Sequence, residues 1–278
     1  MRWSINVPNL GSFADPRGVA DLAREAEAAG WDAVFVWDHL IGMPGAEVAD
    51  PWTILAAVAL ATDRVRIGPM VTPLARRRPW QVARQAATLD RLSGGRVTLG
   101  VGLGFPPDEE FGRFGEPTDD RERAAILDEA LDVIVGLWTG EPFSYEGERF
   151  RVRDVTFVPT PLQRPRIPVW VAATWPHRAP LARAARFDGA VPIADPDGDE
   201  PFLDLDRVAD VVREIRGRRA ADAGPFDVVW VAPPADASAA LGQVERAAAA
   251  GVTWIQMGSE FGEDLGGFRE RVRHGPPR

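Results

Sequence analysis

Short runs of β-branched and aromatic residues alternate along this chain with longer stretches whose apolar positions recur every three or four residues. These are the periods of a buried strand and of an amphipathic helix. Residues 3–7 predict the first strand. The helix after it opens at Asp15-Pro16, carries Val19, Leu22, Ala23, Ala26 and Ala29 on one face and stops at Gly30, which is a side-chain cap, a first-turn proline and a glycine stop in order. Residues 32–37 predict strand two, and Asp50-Pro51 opens a second helix that ends near Thr62. Residues 65–71 and 97–101 predict strands three and four, with a helix from Pro79 to Ser93 between them and another over 121–138. Residues 140–168 are rich in proline and aromatics and contain a predicted hairpin around Gly147, an insertion in the alternation. Residues 169–173, 189–193, 228–232 and 253–257 predict the remaining strands. Their helices fall near 177–186, through Leu205, Val208, Val212 and Ile215, and near 236–250 and 261–274.

Eight such units in 278 residues predict an α/β fold closed into a (β/α)8 TIM barrel, one domain over 1–278, with the insertion after strand four. Closure leaves no sheet edge exposed, whereas an open doubly wound sheet usually stops near about six strands. In a barrel the reactive groups sit on the loops at the C-terminal ends of the strands, so those loops are where chemistry is sought.

Composition narrows the chemistry. The net charge of -9 repels phosphate backbones and anionic lipid, so nucleic acid and membrane are poor partners and a small molecule is the expected one. The chain has no cysteine, and all 32 of its basic residues are arginine. Thiolate chemistry and lysine Schiff bases are therefore excluded. No leader or long apolar span stands in the sequence, which gives a cytoplasmic expectation. With three scattered histidines, a metallohydrolase would lack its usual imidazole ligands.

Asp38-His39 follows strand two at the expected mouth. An imidazole there can move a proton near neutral pH with Asp38 orienting it; the alternative is a structural histidine bonded to a loop carbonyl. Gly102, Leu103 and Gly104 leave strand four with little bulk, room for a flat ring or for a tight turn. Ala172, Ala173, Thr174 and Trp175 lead from strand five into a helix start, an anion cradle or an ordinary loop. Met70, Val71 and Thr72 offer only a wall. Trp37 and Phe105 fall near strand ends and suit an aromatic-lined pocket. Arg76-Arg77-Arg78 reads as a solvated face or as a partner for a phosphate or acidic tail.

Four segments taken together resemble the luciferase-like, flavin-dependent oxidoreductase superfamily: residues 30–39, 64–73, 87–102 and 184–189, of which Leu89-Asp90-Arg91-Leu92-Ser93-Gly94-Gly95-Arg96 is the most specific. The resemblance spans nearly the whole chain. It implies a homodimeric barrel holding F420 or reduced FMN at the mouth. It further implies His39 beside the ring, a non-prolyl cis peptide at Met70-Val71 behind it, Gly102 to Gly104 alongside and Ala172 to Trp175 at the phosphate. Phe105 stands where some sugar-phosphate dehydrogenases of the superfamily keep a glutamate, and the lysines those enzymes use are absent, so a less polar substrate is expected. The resemblance leaves two reactions, F420-dependent hydride transfer, which Asp38-His39 favours, and monooxygenation by reduced FMN. A barrel that binds flavin without turnover is the alternative of another class.

Overall fold

Asp15 caps the first helix as its sequence predicts. In the computed structural model its carboxylate accepts the amides of Arg17 and Gly18, Pro16 begins α1 (Pro16–Ala29), and Gly30 ends it in the left-handed region at φ 92°. Asp50 repeats the device at α2 (Pro51–Ala61), accepting the amide of Thr53 at 2.8 Å. Helix α3 (Pro79–Leu92) also starts on a proline but has no side-chain cap. The structure describes residues 1–196, 198–233, 242–260 and 262–277.

The strands are β1 (Arg2–Val7), β2 (Ala33–Val36), β3 (Arg66–Pro69), β4 (Thr72–Pro73), β5 (Leu99–Gly102), β8 (Val169–Trp175), β9 (Gly189–Ala194), β10 (Asp227–Val231) and β11 (Trp254–Gly258), with a separate hairpin of β6 (Pro142–Glu146) and β7 (Arg151–Thr156). They form one nine-stranded sheet in the order β3-β2-β1-β11-β10-β9-β8-β5-β4. β3 and β4, at its two ends, are consecutive halves of one stretch of chain split at Met70-Val71. The sheet is therefore a ring of eight staves. Ile67 bridges Val97, and Thr72 pairs Val101, across the closing seam. The expected third strand over 65–71 is thus broken at its top, and its upper half is what meets β5.

All barrel pairs are parallel, so alternate residues face inward. Ala33, Phe35, Met70, Trp170, Val191, Val229 and Trp254 fill the interior, while a larger cluster packs the outer faces of the strands against the helices. The floor is polar: Arg2 pairs with Asp227 and stacks on Trp254, and Arg66 donates to Thr98 at 2.9 Å. The hairpin sits in the predicted insertion, after α5 (Asp120–Trp138), which follows β5. The two late helices are shorter than expected, Val244–Ala249 and Leu265–Arg273; parts of their predicted spans, 236–241 and 261, lie outside the described residues. A short helix α4 (Pro107–Glu110), which periodicity did not indicate, follows β5.

Candidate active site

Strand β2 runs through Ala33 and Phe35 into the barrel, and the same alternation aims Trp37 at its mouth. Two residues on, His39 stands in the loop with its backbone held by Asn9. That fully buried amide donates to the carbonyls of His39 and Ala49 at 2.9 and 2.8 Å and accepts the His39 N–H at 3.2 Å. The imidazole is 28% exposed, open enough to meet a ligand. Its ring centroid lies 5.7 Å from that of Trp37.

The partner of His39 is Glu110. Its Oε1 lies 3.0 Å from His39 Nδ1, and its carboxylate also accepts Leu40 N–H at 3.0 Å and Arg76 NH1 at 2.6 Å. Burial pushes the Glu110 carboxyl up, but the donors His39, Leu40 and Arg76 outweigh it and hold it below the ordinary value. An ionised Glu110 fixes the tautomer: Nδ1 carries the hydrogen, and Nε2, which has no partner among the described residues, is left to take or give a proton.

Asp38 does not orient His39, contrary to the sequence expectation. Both of its oxygens are already engaged, by Thr72 Oγ1, by Arg76 at 3.2 Å, and by Arg77 through Nε and NH2 at 2.9 and 2.7 Å. Arg76 and Arg77 are equally not a solvated face; their side chains are 3% and 16% exposed. Arg76 joins the two carboxylates, so Asp38, Arg76, Glu110 and His39 form one chain of charge-assisted bonds. Phe111, fully buried, lies between the guanidinium of Arg76 at 5.4 Å and that of Arg123 at 4.7 Å, and Arg123 donates to the carbonyls of Leu103 and Gly104. These contacts pin the loop that carries Glu110.

The mouth has a wall of small and apolar groups. The Met70-Val71 peptide is cis, as the resemblance implied. A Cβ on Gly102 would stand 2.7 Å from the Val71 side chain and 3.2 Å from Ala172, so Gly102 lies close against both, whereas a Cβ on Gly258, at the top of β11, would meet nothing nearer than 3.9 Å. Asn6 donates to the Met70 carbonyl at 3.3 Å; its Oδ1 and Gln256 Oε1 are buried acceptors without partners among the described residues. Ala172 and Thr174 share the inward face of β8 with Trp170. Ala173 and Trp175 take the outward face, and the Trp175 ring packs on the outer core with Leu103. Phe105 stands 51% exposed at the rim.

A family model described as luciferase-like monooxygenase matches residues 5–271. The chain belongs to this family. It is similar to the F420-dependent glucose-6-phosphate dehydrogenase of Beutenbergia cavernae, 41% identical over 175 residues that cover 60% of this chain and 50% of the relative. The corresponding enzyme of Nakamurella multipartita is 35% identical over 212 residues, 73% and 60% of the two chains. The chain spans about half the length of the curated relatives it matches. Among solved structures, an F420-dependent secondary alcohol dehydrogenase in complex with an F420-acetone adduct superposes with a TM-score of 0.77 at 18% identity over 97% of both chains, a likeness of fold. Monooxygenase RslO1 from Streptomyces bottropensis gives 0.69 at 27% identity, over 98% of this chain and 82% of that one.

In this luciferase-like chain, the residues bonded to His39, Glu110 and Asn9, were not among the sequence candidates, and Arg76 entered there only within an arginine run. One signal was available. The acidic run Asp108-Glu109-Glu110 and the basic run Arg76-Arg77-Arg78 follow adjacent strands at the same end of the barrel, and complementary runs so placed meet.

Proposed function

We propose that this chain is an F420-dependent oxidoreductase that moves hydride to or from a small, fairly apolar organic substrate, with His39 handling the accompanying proton. The observation that carries the reading is the His39–Glu110 pair at the mouth, beside the wall where Gly102 lies against Val71 and Ala172. The unpartnered acceptors Asn6 Oδ1 and Gln256 Oε1 fit a polar ring edge below that wall. When bound, F420 supplies a carbon centre that gives or accepts hydride and does not sustain oxygen activation. Met70, Val71, Thr72, Gly102, Leu103 and Gly104 would flank the ring, and the backbone from Ala172 to Trp175 would take the phosphate end. His39 Nε2 exchanges a proton with the substrate oxygen; Glu110 keeps the imidazole in the tautomer that leaves Nε2 open. Asp38, held by Arg76, Arg77 and Thr72, is a positioning residue for the loop.

Phe105 at the rim and the absence of lysine from the chain favour a substrate without a phosphate. We read the chain as one barrel unit acting as a cytoplasmic homodimer. The alternative chemistry, monooxygenation with reduced FMN, draws support from the 27% identity with RslO1. Fluorescence-quenching titrations with F420 and with FMN decide between them, and turnover is then compared for secondary alcohols and glucose 6-phosphate. Preference for FMN, or O2 consumption with reduced flavin, overturns the F420 reading; tight cofactor binding with no turnover across the panel makes the chain a binding protein. Sedimentation equilibrium tests the dimer.

A further inference from the structure

The start of α3, the start of α5 and the hairpin line a cavity of about 360 Å³. Arg76, Arg77, Arg78 and Arg149 all line it, with Ile126 and Phe150 among its apolar walls. Four guanidiniums line this one cavity, and carboxylates pair with three of them. Glu116 is the one carboxylate in the lining.

The cations are unequally neutralised. Arg76 and Arg77 face Asp38 and Glu110, and Arg149 pairs with Glu122 at 2.8 Å while its side chain stays 41% exposed. Arg78 is exposed and has no ion-pair partner among the described residues. The 14-residue α3 helix begins here with neither a side-chain cap nor an acidic residue in its first turn, so its positive end also faces this corner uncompensated. A further observation is independent of the charge pattern: Arg76 Nε is a buried donor without a partner, on a side chain only 3% exposed. A buried N–H of this kind calls for an acceptor that the described residues do not supply.

We propose that this cavity binds a small organic anion, a carboxylate or phosphate head on a short apolar body. The head sits among Arg78, Arg149 and the α3 N-terminus, and the body lies against Ile126 and Phe150. The occupant shares Arg77 with Asp38, so its binding is felt at His39 through Arg76 and Glu110. The site goes beyond the redox reading above and stands without it.

Isothermal titration of the cofactor-free protein with glutarate and with inorganic phosphate tests the proposal. Saturable binding of at least one probe is expected, weakened about tenfold or more by Arg78→Ala and by Arg149→Ala and partly restored in Arg78→Lys. Which probe binds identifies the head group. Failure of both probes to bind the wild-type protein at millimolar concentration overturns the site, as does binding that both alanine variants leave unchanged. Because the first of these needs no variant, the test survives a substitution that fails to fold.

Discussion

His39 gives one ring nitrogen to Glu110 and keeps the other open, and the two atoms make separable predictions. Under the proposed reaction, His39→Ala removes the proton carrier and leaves the wall intact. Turnover should fall by about 10²–10⁴ with cofactor affinity within a few-fold of wild type, and full activity would end the assignment. Glu110→Gln instead breaks a buried pair whose side chains are 3% and 1% exposed. It should lower stability by roughly 3–5 kcal/mol, read by urea unfolding, because Arg76 would keep its burial and lose a counter-charge. His39 stood out in the sequence because it directly follows a predicted barrel strand, where reactive groups sit. Its partner did not, because Asp38 is adjacent in sequence and Glu110 lies 71 residues away. Adjacent residues in extended backbone point to opposite sides, and Asp38 turns toward Arg76 and Arg77.

At the level of elements, caps and stops were the most readable features. Asp15-Pro16, Asp50-Pro51 and Gly30 act locally and need no tertiary information. α4 was invisible to periodicity because four residues cannot complete an apolar repeat, and it is held by contacts of the following Phe111. The break in the third strand came from resemblance, not from pattern. Packing at the seam gives a sharp test: a Cβ on Gly68 would lie 1.9 Å from the Thr98 carbonyl oxygen. Gly68→Ala should therefore cost about 1–3 kcal/mol or more, since backbone and not a flexible side chain must yield. The last helix is tied to α1 by Glu25, which meets Arg269 at 2.5 Å and Arg273 at 2.8 Å. These bonds, Arg269 foremost, hold the Glu25 carboxyl at about 2, down from 4.5. A depressed folded value means that the clamp is complete above pH 4.5 and is lost as pH falls toward about 2. The melting temperature of Glu25→Gln should trail wild type at pH 7, and the gap should shrink steadily in acid; a gap independent of pH would refute the linkage.

For the whole molecule, the count of units sufficed to read a closed barrel, because eight parallel strands leave no unpaired edge only when they close. Composition could not show which faces attract anions, since the net charge of -9 averages over a basic corner that appears only when Arg78 and Arg149 are brought together. If F420 occupies the mouth, it should stabilise the fold by about 2.7 kcal/mol at a hundredfold excess over its Kd. If FMN binds more weakly, it gives a smaller shift at the same concentration, and thermal melts with equal F420 and FMN would show that ordering.

The register of β1 against β11 sets a timetable for synthesis. Trp3 pairs with Ile255 and Asn6 with Gly258, so the first stave waits with one edge bare until nearly the whole barrel has left the ribosome. At about 5–20 residues per second, that interval is roughly ten seconds to a minute. Through it, the edge of β1 that pairs with β11 has no native partner. Slowing translation before Trp254 should lengthen the time for which the β1 edge lacks its β11 partner, read as increased protease cleavage of the arrested chain.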